Sequence, residues 1–170
     1  MSKNDLRQLS QEELIKLIEA YSKLYTALDG LWFLSVEEEY GHDVATKLDI
    51  RVWESLAQRE AKRISGVSKV AEGGIEAVIE ALKLRPTFLT KEYKVINEEN
   101  KAIVRVTKCR SLEAMERDKR DVSSCIRLLE NVYPKFASSI DSRVKLRVRK
   151  APPRESTSDT CCEWEIEIPE

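Results

Sequence analysis

Two stretches decide the fold: Arg143-Val144-Lys145-Leu146-Arg147-Val148-Arg149-Lys150, and Cys162-Glu163-Trp164-Glu165-Ile166-Glu167-Ile168. Each alternates apolar and charged residues with a period of two, the mark of a strand with one buried and one wet face. The first has a basic outer face and the second an acidic one. They are joined by a Pro152-Pro153 loop, so the spacing predicts an antiparallel pair with opposite charges adjacent. Val144, Leu146, Val148, Trp164 and Ile166 are then expected to point inward. The basic run reads as a strand face paired with glutamates rather than as a nucleic-acid patch.

Upstream, Phe88 to Ile96 and Ala102 to Lys108 are rich in branched and aromatic residues and flank the turn Asn97-Glu98-Glu99-Asn100. They predict a hairpin. Between it and the last two strands, Val122, Cys125, Ile126, Leu129, Val132, Tyr133 and Phe136 recur at helical spacing. Asp121, Ser123 and Ser124 are good cap residues and predict a break in the chain near Arg120–Ser124.

The first half is helical. Ser10 with Glu13 forms a capping box opening a helix from 11 to about 40, which Gly41 stops. Leu14, Leu17, Ile18, Tyr21, Leu24, Tyr25, Leu28, Leu31, Trp32, Ser35 and Val36 form its apolar face. A second helix runs from 44 to about 65 with Leu48, Val52, Leu56 and Ile64 inward, and Gly66 ends it. The short junction predicts that the two pack antiparallel. Residues 1–9 read as a frayed lead and 66–73 as a loop. A short third helix carries Ile75, Val78, Ile79 and Leu82. The whole is α+β: an N-terminal helical layer (1–85), then an antiparallel sheet of about four strands with helices on one face (86–170), expected as one domain.

Composition bounds function. A net charge of −1 offers no general attraction to nucleic acid. No apolar run is long enough to span a membrane. Met1-Ser2-Lys3-Asn4-Asp5 is not followed by the apolar core of a signal peptide, so a cytoplasmic location and reduced cysteines are expected. With one histidine, His42, at a helix junction, histidine-activated nucleophiles are disfavoured. No phosphate-binding glycine loop is present; Gly73-Gly74 opens a helix.

The candidate chemistry lies in four cysteines and in carboxylates beside tryptophans. Cys125 points inward by helical periodicity and Cys162 by strand periodicity. Cys161, of opposite parity, is expected to face outward with the glutamates. Cys109 ends a strand and joins the other two only if the chain breaks before Ser124. Spacing leaves two alternatives open, packed small hydrophobes or a shared metal or thiol site. Asp29 lies just before Trp32, and Asp49 one helical turn before Trp53. Such carboxylates either bind a cationic group or hold a helix contact through an indole N–H.

Leu28-Asp29-Gly30-Leu31-Trp32-Phe33, Glu38-Glu39-Tyr40-Gly41, Leu48-Asp49 and Val52-Trp53 resemble a cytosolic prokaryotic family without assigned function. Cys109-Arg110, Cys125, Ile140-Asp141, Pro152-Pro153 and Cys162-Glu163-Trp164 have counterparts there too. In its C-terminal half that family is similar to the L-2-amino-thiazoline-4-carboxylate hydrolases, and more distantly to vinyl-4-reductase small-molecule-binding domains. The closing Asp159-Thr160-Cys161-Cys162-Glu163-Trp164 resembles the Asp-x-x-Cys-x-aromatic motif of both. The resemblance implies a small-molecule ligand, for which Asp29, Trp32, Trp53 and Trp164 are the candidate residues. It also implies Cys109, Cys125 and Cys162 as matched positions, with zinc as the candidate cofactor. Three functions follow as expectations: a small-molecule-binding domain, a hydrolase of a small cyclic amide-like or thiazoline substrate, or a helical protein that forms a homodimer and only packs its cysteines.

Overall fold

The structure, a computed structural model, describes residues 3–67 and 73–169. A short turn of helix, α1 (Lys3–Leu6), stands where a frayed lead is expected. Of the loop expected at 66–73, residues 68–72 lie outside the described residues. Two long helices follow, α2 (Gln11–Tyr40) and α3 (His42–Val67), then α4 (Gly74–Lys83). Helix α3 runs through Gly66 instead of ending there. The second half holds β1 (Lys91–Asn97), β2 (Lys101–Cys109), α5 (Arg110–Arg117), α6 (Ser123–Ile140), β3 (Lys145–Lys150) and β4 (Cys162–Glu167).

Helix α2 starts where the sequence closes a capping box. Ser10 N–H donates to Glu13 Oε2 at 2.8 Å, and Glu13 N–H donates to Ser10 Oγ at 3.2 Å, so two otherwise orphaned donors are satisfied. It stops at Gly41, whose φ of 83° is readily open to glycine. Helix α3 turns back immediately. The contacts Tyr25–Glu60, Asp29–Trp53 and Phe33–His42 run in opposite directions along the two helices, so the pair is antiparallel as expected.

The buried face of α2 is not the apolar one. Ser22 and Phe33 are buried, with Tyr25, Thr26, Asp29 and Val36 partly covered. Leu24 and Leu28 are 63% and 68% exposed, and Ile18, Tyr21 and Leu31 also face out. The expected inward stripe is therefore rotated by about one residue, or 100° of helix. The cause is what α3 offers. Its inner face carries Asp49, Trp53 and Glu60, and these bond with Tyr25 and Asp29 instead of with leucines.

The sheet has the order β1-β2-β4-β3, all antiparallel. β3 and β4 are neighbours, with Leu146 opposite Ile166 and Val148 opposite Trp164. Val144, Leu146, Trp164 and Ile166 are buried and Val148 is half-buried. On the outer face the glutamates of β4 meet cations from both sides: Lys101–Glu165 at 3.0 Å from β2, and Arg147–Glu167 at 3.0 Å from β3. The strand expected from Phe88 starts instead at Lys91. Phe88 lies in the preceding turn, its ring 5.5 Å from that of Trp164.

Helices cover the inner face of the sheet. Trp164, fully buried, stacks 4.4 Å from the Tyr133 ring of α6. One cluster of buried residues runs from Trp53 and Ala57 of α3, through α4 and α6, to Val104, Val106 and Ile166 of the sheet. The chain breaks between Arg117 and Ser123, where Asp121 accepts from the Ser123 N–H at 2.8 Å. Without that break Cys109 and Cys125 would be stretched apart along one helix.

Candidate functional site

A cavity of about 580 Å³ lies between the α2–α3 pair and the α5–α6 pair. Its two ends differ in chemistry. One end is made by α2 and α3, with Asp29, Asp49 and Trp53. The other is made by β1, β2, α6 and the start of β4 with the residue before it, carrying Lys91, Cys109, Cys125, Cys161 and Cys162. Apolar side chains including Leu129 and Val132 also line the cavity, and Met115 lies against Cys125 at 4.0 Å.

At the acidic end, the Trp53 indole N–H donates to Asp29 Oδ1 at 2.8 Å. Asp49 is 3% exposed and its Oδ1 has no hydrogen-bond partner. Burial pushes both carboxyls up. For Asp49 the facing Asp29 adds to that, and it reaches about 8. Two carboxylates this close in a poorly hydrated place cannot both ionise at neutral pH, so the pair holds one proton. Behind it, Tyr25 donates to Glu60 at 3.0 Å, and Glu60 takes the Nε–H of Arg85 at 2.8 Å. Arg85 is 1% exposed, lies over the rings of Tyr133 and Phe136, and leaves Nη1 without a partner.

At the other end, Lys91 stands opposite Cys109 in the β1–β2 register. Its Nζ donates to the Tyr133 hydroxyl at 3.0 Å and lies 5.2 Å from the Phe88 ring centre. Burial lowers its pKa, while Tyr133 and the sulfurs of Cys109 and Cys162 raise it, and the balance lies above the usual lysine value. Burial also pushes the thiols of Cys125 and Cys162 up to about 12, against the pull of Lys91. They are neutral thiols, not thiolates.

Cys161 corrects the sequence reading. It is buried and lines the cavity, although its parity placed it outside with the glutamates. β4 begins one residue later, so alternation does not reach it. The loop before the strand is tied inward by Arg154, which holds Glu116 through two bonds and donates to Cys161 Sγ at 3.4 Å. The Cys161 thiol donates to the Thr107 carbonyl at 3.5 Å. Burial raises its pKa while Arg154 opposes that.

Of the other expected site residues, Asp29, Trp53, Cys109, Cys125 and Cys162 line the cavity, whereas Trp32 and Trp164 do not. Trp32 is turned toward solvent and Trp164 lies in the core behind Tyr133. Among the described residues, no three His, Cys, Asp or Glu side chains are placed to hold a metal ion. The zinc expectation for Cys109, Cys125 and Cys162 thus finds a shared wall but no assembled ligand set. His42 does shape its turn: Nδ1 lies 2.6 Å from Glu37 Oε1, and Glu37 also pairs with Arg120 at the α5–α6 break.

Lys91, Arg85 and Glu60 were not singled out by sequence reasoning. Glu60 carried a signal. It continues the buried α3 spacing Trp53, Ala57, Glu60, Ile64, and a charge on such a stripe calls for a buried partner.

Fold and site together define an α+β protein with a cavity acidic at one end and thiol-lined at the other. The chain belongs to DUF6125, a family of unknown function, whose family model matches residues 7–168. No curated protein matches it. Among the described residues, no helix is long and apolar enough to cross a membrane.

Proposed function

We propose that this chain binds a small organic molecule in the cavity between the two helix pairs. The observation that carries this reading is a pair of buried, unpartnered polar atoms, Asp49 Oδ1 and Arg85 Nη1, on residues lining one cavity. Buried polar groups left unpaired are costly, and at a concave, mainly apolar site a bound molecule is one way to pair them. The volume, about 580 Å³, suits a small ligand. The hydrolase alternative, on a thiazoline or cyclic amide, needs a cysteine nucleophile or a cysteine-held metal. Cys125 and Cys162 are neutral thiols, and His42 is held at the α2–α3 turn, so the geometry supports binding better than catalysis.

A thermal-shift screen of small metabolites, with and without added zinc, tests this. A ligand at 100 times its Kd adds about 2.7 kcal/mol, or roughly 5–10 °C for a chain of this size. The variant Ala114→Phe, which fills the cavity wall, is expected to lose the response. Shifts that survive Ala114→Phe, or no shift with any compound, would remove the reading.

A second reading rests on a separate observation, the outward face of α2. Leu14, Leu17, Tyr21, Leu24, Leu28 and Leu31 alternate three- and four-residue steps, the spacing of a coiled-coil seam. Tyr21, Leu24, Leu28 and Leu31 are exposed. The stripe offers on the order of 500 Å² of apolar surface. Two copies face to face bury about 1,000 Å², the lower bound for a specific interface. The occupant we assign is a second copy of this chain, because the seam is self-complementary. Light scattering is expected to give a dimer for the wild type and a monomer for Leu24→Lys with Leu28→Lys. Ile126→Lys, exposed on α6, should leave the mass unchanged. A wild-type monomer at tens of micromolar would contradict this reading.

A further inference from the structure

The acidic end of the cavity constrains what kind of molecule enters. Asp29 comes from α2 and Asp49 from α3, and the Trp53 indole fixes one oxygen of Asp29. Asp49 Oδ1 is buried and unpartnered. The other charged groups lining the cavity are paired elsewhere or exposed to solvent. Arg85 is bonded to Glu60 at 2.6 Å, Arg120 is paired with Glu37, and Lys91 is bonded to Tyr133 at the far end. Lys23 of α2 and Arg110 of α5 are exposed to solvent, and the Tyr25 hydroxyl donates a hydrogen bond to Glu60. Asp118 of the α5 end is matched by Arg117. No cation of the described chain neutralises Asp29 and Asp49.

Two buried carboxyls without a cation have two stable solutions: keep a proton between them, or admit a cation from outside. Trp53, which lines the cavity, supplies aromatic surface that favours an organic cation over a hydrated one.

We propose that the cavity takes a small organic cation, a protonated primary or secondary amine on an apolar body, whose N–H groups bond Asp49 and Asp29 in place of the proton these two share. The proposal rests on the small-molecule reading and narrows it. The exchange balances. The amine enters as its cation, the proton held between the carboxyls leaves to solvent, and both carboxylates then face one ammonium. Binding near neutral pH therefore releases one proton per ligand. Above about pH 9 the free pair has already lost it, and release falls to zero.

The test uses three probes of one shape: 2-phenylethylamine, 2-phenylethanol and phenylacetate. Each is titrated calorimetrically at pH 7 in two buffers of different ionisation enthalpy, so that the difference in heat counts protons. The amine is expected to bind at least tenfold more tightly than the other two, with close to one proton released. Asp49→Asn is expected to weaken amine binding at least tenfold and abolish the release. Proton counting on the wild type does not depend on that variant folding. Amine binding without proton release overturns the proposal, as does equal or tighter binding of the alcohol or the acid. If only the alcohol or acid binds, and Ala114→Phe blocks it, the cation reading fails while the small-molecule reading stands. If no probe binds, the cation reading fails; the metabolite screen then decides the broader one.

Discussion

Arg85→Ala is expected to cost roughly 3–5 kcal/mol of folding stability, the range for stranding one member of a buried ion pair. Arg85 and Glu60 are almost fully buried and meet at 2.6 Å. Glu60 also accepts a hydrogen bond from the Tyr25 hydroxyl, so removing the guanidinium leaves a buried carboxylate held by one phenol. The Arg85 plane packs 4.6 Å from the Phe136 ring centre and 5.0 Å from that of Tyr133, and that contact goes too. Urea unfolding measures the loss. Arg85→Met combined with Glu60→Leu is the informative control. It replaces both charges with apolar groups and should recover most of the stability. If the double variant is as unstable as Arg85→Ala, the loss comes from packing and not from an uncompensated charge.

Asp49→Asn is expected to change how stability depends on pH. The carboxyl sits near 3.8 when free and is pushed up to about 8 by burial and by Asp29. The native state therefore binds a proton that the unfolded chain has released. The stability this supports is fully present below about pH 4 and is lost as pH rises through 8. Asparagine keeps the shape, donates to Asp29 and has nothing to lose. Wild type and variant should match near pH 4. Above pH 8 the variant should be more stable by on the order of 3–5 kcal/mol. Denaturant midpoints across pH 4–9 check this. Parallel curves for the two proteins would show that the proton is not held there.

β3 and β4 were readable because alternation, charge and a connecting loop all pointed to one pairing, and the pairing has few alternatives. The break before α6 was readable because Asp121 and Ser123 satisfy backbone donors locally. Cys125 and Cys162 were placed inward by periodicity and are covered. The seat of α2 was not readable. Its sequence holds two adjacent stripes, one of leucines and one of Ser22, Tyr25, Asp29 and Phe33. Hydrophobicity ranks the first above the second, but the choice depends on α3, whose buried stripe includes Asp49 and Glu60. Polar partners there select the polar stripe. Cys161 was misplaced because a two-residue period holds only inside a strand, and the side chain that turns it inward, Arg154, lies in a loop with no period at all.

The place of β4 bears on how the chain is made. This strand, Cys162–Glu167, lies between β2 and β3 and carries Trp164. During synthesis the α2–α3 pair and the β1–β2 hairpin emerge early, with contacts close in sequence. β3 has no neighbour in the sheet until β4 arrives, and the inner edge of β2 stays unpaired until then. The nascent protein therefore carries two open strand edges and lacks a central side chain until Cys162–Glu167 has been made. Such an intermediate is a target for chaperones and for pairing between chains on neighbouring ribosomes. The lysines and arginines along β3, and Lys101 and Arg105 of β2, keep those waiting edges charged until the glutamates of β4 arrive to neutralise them.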